Sequence, residues 1–469
     1  MISARSFAAT AMLLSLCSCK VGPNYSRPQL AVPDQYRGLA PAATPQAPTS
    51  APQSPAETFG AMKWFTVFQD KVLDDLIREA LNNNYDMKIA AARVSQAKAI
   101  VGVTRADQLP SVSGSAGIQQ VRAVLFPGGP TFDSVSLQAA YMVDFWGQYR
   151  RATEAARANL VASQYGREVV QTSLISDLAS AYFRLRQYDM QLDFSQKTLV
   201  ADQDMLRLNQ INYKGGESAK TDVLQAQLLV EQAEAQIISL HQAIEQTENA
   251  ISVLMGRNPG PIGRGTSLTD QTHMPEVPAG LPSTLLERRP DVRRAEMQLV
   301  AANANVGVAK AAFFPQFQLT GQFGAQSTSI TSFLDGPATI WSLGGQVLQP
   351  IYQGGRIRSN YQLAWARRDE AELAYRQSFQ LAVNDVSNTL VGYSQSRNYR
   401  EKIREQTDTY YETARLANVR FTGGATSFLE VLVTQQQYFV SELALAQAWN
   451  DELQNYIQLY RALGGGWEP

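Results

Sequence analysis

The sequence predicts a mainly α fold built as two duplicated halves in which long coiled-coil helices alternate with four strands per chain. Three observations carry this prediction. The chain repeats itself at about 208 residues. Two proline-free stretches are far longer than ordinary helices. Four segments of about ten residues alternate imperfectly between apolar and polar side chains.

The repeat is read from matched residues. Asp86 matches Asp291 and Pro110 matches Pro315 at an offset of 205. Gly215-Gly216 matches Gly423-Gly424, Val223-Leu224 matches Val431-Leu432, and Gln227 matches Gln435, all at an offset of 208. Small insertions account for the drift. Units of this length are too long for a solenoid repeat, so the chain is a duplicated module.

Each half has the same order. A medium helix is expected at about 84–108 and 287–312, followed by a strand hairpin. A long helix follows at about 148–213 and 356–421. A Gly-Gly turn then leads to a final helix at about 218–255 and 427–463. The long stretches are rich in Ala, Gln, Leu, Arg and Glu, which favour helix. Each would span roughly 100 Å, a length that implies a coiled coil or a related assembly. Val223, Ala226, Val230, Ala233, Ile237, Leu240, Ile244, Thr247, Ile251 and Leu254 alternate by threes and fours, as an a/d seam does. Leu178, Leu185, Leu192, Leu199 and Leu206 recur every seven residues. In each half the two shorter helices together match the long one, which predicts short helices stacked end to end beside it.

The strands are expected at Ser111–Val121, Ser134–Phe145, Gln316–Gln326 and Thr339–Ile351. Their length suits tilted membrane strands. Tyr141, Phe145, Trp146, Phe313, Phe314, Phe317, Phe323 and Trp341 crowd their ends or faces, as an interfacial girdle would. From the strands alone a soluble antiparallel sheet is favoured over a membrane one. Four strands cannot close a barrel in lipid, and an open edge there is not viable, so a membrane reading requires several chains.

Composition excludes much else. Among 469 residues, 41 Lys and Arg stand against 42 Asp and Glu, leaving no basic excess for nucleic acid. His241, His273, Cys17 and Cys19 are the only His and Cys residues, so neither a Cys/His metal site nor a disulfide framework is expected. No phosphate-binding loop or nucleophile elbow is present. The reading is of a non-enzyme without cofactors.

Residues 1–18 read as a secretory signal, and Leu16-Cys17-Ser18-Cys19 resembles a bacterial lipobox, with Cys19 as the lipidated residue. Lys20 follows it, which by resemblance points to the outer membrane. Residues 19–63 form an extended lipid-anchored segment with a Pro-rich stretch at 39–56. The first repeat covers 64–260, a connection 261–286, and the second repeat 287–469.

These residues carry a family resemblance. Cys19-Lys20-Val21-Gly22-Pro23-Asn24-Tyr25, Trp64-Phe65 with Phe68, Asp70, Leu73 and Leu76-Ile77, Glu287-Arg288-Arg289-Pro290-Asp291-Val292-Arg293, Ala301 to Gly307, Ala311 to Pro315, Asp144 to Arg150, and Pro350 to Ile357 are similar to the blocks of outer-membrane efflux lipoproteins of the TolC/OprM/NodT type. The resemblance implies a homotrimer with one twelve-stranded barrel in the outer membrane and an α-helical tunnel in the periplasm. It implies the exit duct of a tripartite pump, working with a periplasmic adaptor and an inner-membrane transporter of the RND class. The duct of a type I protein-secretion system shares the fold, and a periplasmic coiled-coil scaffold lipoprotein is the reading from another class.

Site expectations follow. Pro110 and Pro315 end a helix where a strand begins, and Gly147, Gly354 and Gly355 sit where strand returns to helix. The turns at Gly215-Gly216 and Gly423-Gly424 would form the periplasmic tip. By the family's pattern the gate lies just after them, with Asp222 and Glu430 as rings of carboxylates in a trimer. Helix capping is the alternative for both acids, Ser427 with Glu430 forming a capping box. Tyr213 and Phe421 are lumenal plugs or plain packing. In part of the family an Arg in the second-half turn ties the gate shut; Thr426 stands there, which argues against that latch.

Overall fold

The computed structural model describes residues 20–30, 70–120, 131–270, 288–328 and 338–465. Cys19, Trp64, Phe65, Phe68, His273, Glu287 and the stretch 39–56 lie outside the described residues.

The elements run α1 (Lys71–Asn83), α2 (Tyr85–Ala106), β1 (Ser111–Gln120), β2 (Thr131–Val143), α3 (Gln148–Gly215), α4 (Lys220–Leu254), α5 (Pro290–Ala311), β3 (Gln316–Ser327), β4 (Thr339–Leu348), α6 (Arg356–Thr422) and α7 (Phe428–Ala462). Every helix and strand expected from the sequence is present. Helix α1 is additional. Its N-cap is Asp70, whose carboxylate accepts from the amides of Val72 and Leu73, and it buries Leu73, Leu76, Ile77 and Ala80. The chain divides into two compact units that each draw on both halves: one from 1–30, 92–165 and 293–378, the other from 31–91, 166–292 and 379–469.

The first unit holds one antiparallel sheet in the order β1-β2-β3-β4. Its register sorts the side chains. Phe323 of β3 pairs with Leu137 on one side and Trp341 on the other, and Leu137 pairs with Gly114. Directly paired residues share a face. That face therefore carries Val112, Ile118, Val135, Leu137, Tyr141, Phe317, Leu319, Phe323, Trp341, Leu343 and Val347. The opposite face carries Ser113, Ser115, Ser134, Ser136, Gln138, Gln318, Gln322, Gln326, Ser342 and Gln346. A soluble sheet buries its apolar face. Here Trp341 is 77% exposed and Leu343 83% exposed in the chain. This corrects the soluble-sheet reading that the strands alone allow. Among the described residues no helix is long and apolar enough to cross a membrane.

At the helical end of the sheet the aromatic side chains pack between the halves. Trp146 stacks on Phe314 with centroids 4.6 Å apart, and Phe145 meets Phe317 edge-on at 4.7 Å. Trp146 Nε1 donates to the Pro315 carbonyl at 2.8 Å.

The second unit is helical. The stacking expected from helix lengths is realised as a joint in each half. Asn84, at the start of α2, donates from Nδ2 to the Leu254 carbonyl at the end of α4, at 2.9 Å. Arg289, at the start of α5, donates from Nη1 to the Ala462 carbonyl at the end of α7, at 3.2 Å. These bonds satisfy terminal helix carbonyls that have no partner of their own. Gly256 and Gly464 close the two final helices at φ +71 and +80. The α4 seam also packs as expected: Ala226, Val230, Ala233, Leu240, Ile244 and Ile251 are buried, and no member of it is exposed. His241 lies off the seam and is exposed.

Helices α3 and α7 are held antiparallel by a ladder. Arg461 donates to Ser173 Oγ at 3.2 Å, Gln454 to the Ser180 carbonyl at 2.8 Å, Gln187 to Gln447 at 2.6 Å, and Gln191 to the Leu443 carbonyl at 3.0 Å. Beyond the ladder Asp202 is 5% exposed. Burial pushes its carboxyl up to about 6. A raised carboxyl favours the folded state below the ordinary carboxylate range, and that contribution is lost as pH climbs through about 6. Unfolding of the detergent-solubilised protein should therefore show a loss of roughly 3 kcal/mol per chain between pH 4 and pH 7.5 from this group. Asp202→Asn should remove that dependence and raise the unfolding midpoint at pH 7.5; an unchanged pH profile would refute the assignment.

Candidate functional site

The two Gly-Gly turns have one geometry. Gly216 and Gly424 take φ +82 and +70. Glu217 N donates to the Asn212 carbonyl at 2.9 Å, and Ala425 N to the Arg420 carbonyl at 2.8 Å. Gly216 N and Gly424 N donate to the Tyr213 and Phe421 carbonyls. This is the Schellman closure, in which a left-handed residue lets the last carbonyls of a helix be satisfied. Gly215 and Gly423, which precede them, have no positive φ.

The acids after the turns differ. Asp222 accepts from the Ala219 amide at 3.2 Å, so it caps α4. The capping box expected for Ser427 and Glu430 is absent: Ser427 is an extended N-cap with no side-chain cap bond. Glu430 is drawn elsewhere. Arg420 Nη1 donates to its Oε1 at 2.8 Å, and Thr426 Oγ1 bonds its Oε2. The absence of an Arg at position 426 therefore does not leave the acid without a cation. Arg420, on the incoming helix, supplies the cation, and Thr426 adds a hydroxyl. Both charges are partly exposed, so the pair is worth about 0–1 kcal/mol. An interaction this weak can be broken and remade.

Beneath these groups Ala226, Ala417, Phe428 and Val431 are buried together, with Met205, Leu206, Phe421 and Leu432 against them. The Phe421 and Phe428 rings lie 5.7 Å apart. Phe421 is thus packing within the chain, while Tyr213 is 47% exposed. The cluster draws on α3, α4, α6 and α7, so both helical hairpins converge there.

The strand-to-helix turns are also equivalent. Gly147 and Gly355 take φ +77 and +86, and Gly354 takes +56. Arg151 N donates to the Gly147 carbonyl at 2.8 Å and Ser359 N to the Gly355 carbonyl at 2.9 Å. Pro110 and Pro315 stand immediately before β1 and β3.

One feature escaped the sequence reading. Residues 20–27 lie in a built seat. Val21 N donates to the Trp146 carbonyl at 3.0 Å. Arg151, 2% exposed, donates to the Val21 carbonyl and to Asn24 Oδ1. Asn303 Nδ2 donates to the Pro23 carbonyl at 3.0 Å. Glu296, 6% exposed, accepts from Tyr25 at 3.2 Å and Arg27 at 3.1 Å. Burial and that carboxylate hold the Tyr25 hydroxyl well above the ordinary phenol range. Gly22, at φ +100, lies so close that a Cβ on it would meet Gly307 Cα at 2.5 Å. The signal was in the sequence as Asn303 and Gly307 among alanines, but nothing local names their partner. The seat sets Lys20 against Gly147 at the helical end of the sheet.

A Cβ at position 307 would approach the Val21 carbonyl to 2.9 Å. Gly307→Ala should loosen residues 20–27, at a cost of about 1–3 kcal/mol. Limited proteolysis with N-terminal sequencing should then find new cleavage there. Gly102→Ala, with open space around it, should leave the pattern unchanged.

Comparison with known proteins gives a consistent set of relatives. The family model described as outer membrane efflux protein matches residues 76–257 and 281–465. The solvent efflux pump outer membrane protein SrpC of Pseudomonas putida is 33% identical over 97% of both chains. The cation efflux system protein CusC of Escherichia coli is 30% identical over 97% of both. Among solved structures, the open state of the Neisseria gonorrhoeae MtrE outer membrane channel superposes with a TM-score of 0.86 at 27% identity, covering 96% of this chain and 99% of that one.

Proposed function

Because the chain belongs to the outer membrane efflux protein family, we propose that three copies of it form the exit duct of a tripartite efflux pump. The observation that carries this is the sheet. One face is apolar and uncovered, the other is lined by Ser and Gln, and the outer edges of β1 and β4 have no partner strand among the described residues. Backbone groups at an open edge are not tolerated in lipid. Three chains supply twelve strands and leave no edge, with the polar face lining water.

The helical part extends into the periplasm and meets an adaptor and an inner-membrane RND transporter. Drugs or other small toxic compounds pass through passively. Relatives named for solvent and for cation efflux fit a duct whose cargo is chosen by the transporter. The reading assigns no catalytic residue and no cofactor. Cys19 is the lipid attachment point. Its neighbour Lys20 is seated beside Trp146 and Gly147, the level at which an acyl anchor would enter the membrane.

The gate lies at the tip. Asp222 and Glu430 form two rings of three carboxylates, and Arg420 with Thr426 holds each Glu430 back against its own turn. Rings of this kind attract cations. Tyr213 and Phe421 stand beside them.

Native mass spectrometry of the detergent-extracted mature protein should find three copies, each with the added mass of an acylated Cys19. A lipidated monomer would refute the duct. In planar bilayers Asp222→Ala with Glu430→Ala should raise resting single-channel conductance or weaken cation preference. If both stay at the wild-type level, the acids serve only their own turns and not a gate.

A further inference from the structure

The register that divides the sheet also divides its charge. The four strands contain one charged side chain, Asp133. It lies on the apolar face, paired with Ile118 and Ser327 at the end away from the helices. The opposite face is built of hydroxyls and amides. Its central row runs Ser113, Gln138, Gln322, Ser342 across all four strands. Two rows nearer the helices, Met142, Gln318 and Gln346 stand side by side.

Lipid excludes charge from the apolar face. It makes no such demand of the other face, where a charged side chain would meet water. Charged residues make up 18% of the chain, so a shortage of them does not explain a wall of Ser and Gln.

The two residue types do different things there. Several hydroxyls are held within the sheet. Ser115 Oγ lies 3.1 Å from Ser136 Oγ, Ser134 Oγ donates to the Gly117 carbonyl at 3.2 Å, and Ser111 Oγ donates to the Ala140 carbonyl at 3.3 Å. The glutamines reach farther from the backbone, and Gln138 and Gln346 are exposed. A Gln amide offers both a donor and an acceptor. It can turn its oxygen toward a cation or its nitrogen toward an anion. A ring of fixed carboxylates or guanidiniums serves one sign and repels the other.

We propose that this wall makes the barrel indifferent to the sign of its cargo's charge, and that Gln138 and Gln322, adjacent in the register, set that property. Cationic, anionic, zwitterionic and neutral polar solutes are solvated alike. Selection between signs is left to the acids at the tip. The inference rests on the reading that three chains close a barrel with this face inside.

The test uses the full-length lipoprotein in lipid vesicles, with Gln322→Cys as the reporter. Its thiol is labelled with methanethiosulfonate reagents that carry either a trimethylammonium or a sulfonate group. Labelling of the parent protein is subtracted, and each rate is divided by that reagent's rate with free 2-mercaptoethanol. The two corrected rates should agree within about threefold. Gln138→Glu beside the reporter should favour the cationic reagent by about tenfold, and Gln138→Lys should favour the anionic one by a similar factor. The mirror pair, Gln138→Cys with Gln322→Glu, answers the same question where the first fails to assemble. A wider gap without an added charge, or a ratio that the added charge does not move, overturns the proposal. A reporter that reacts with neither reagent, or no faster than Leu343→Cys on the apolar face, would overturn the barrel reading beneath it, a distinct result.

Discussion

A backbone amide or carbonyl in hydrocarbon must find its partner within the protein, and that requirement organises this chain. The long helices satisfy their own backbones, but their surfaces carry Arg, Glu and Gln at short intervals and cannot enter lipid. Where the membrane begins, the chain changes to strands whose central side chains divide largely by parity into an apolar and a Ser/Gln face. The change is made twice, after Pro110 and after Pro315, and reversed twice, at Gly147 and Gly355. Trp146 and Phe314 pack the two changes against each other, and the indole nitrogen closes on the Pro315 carbonyl.

The duplicated halves meet the same requirements with different chemistry. The joint between stacked helices is an asparagine amide in one half and an arginine in the other. Arg289 is buried, so it needs counter-charges, and Asp291 and Asp385 supply them at 2.7 and 3.1 Å. Asn84 is neutral and needs none. The glycines are the invariant part: at 147 and 355, at 216 and 424, and at 256 and 464, positive φ recurs at the same offset. A conformation open to few other residues is preserved where side-chain contacts have diverged.

Much of this was legible because it is periodic or repeated. The seam of α4, the lengths of the helices, the strands and the glycine turns all leave marks within a few dozen residues. What was not legible depends on partners far apart. Helix α1 has a short apolar pattern that only its burial explains. Glu430 sits in a capping-box spacing, yet its two carboxylate oxygens are taken by Arg420 and Thr426, neither of which the spacing names. The seat for residues 20–27 joins Pro23 to Asn303 across 280 positions, and no local pattern announces such a pairing.

That seat has a consequence for the order in which the molecule is made. The groove that receives the first described residues is furnished by Arg151 and, more than a hundred residues later, by Glu296, Asn303 and Gly307. No fragment ending before the second half can complete it. Loop closure across so long a stretch is slow compared with local helix formation. The beginning of the chain therefore waits for the opening helix of the second half, and its docking reports that the chain through Gly307 has come together.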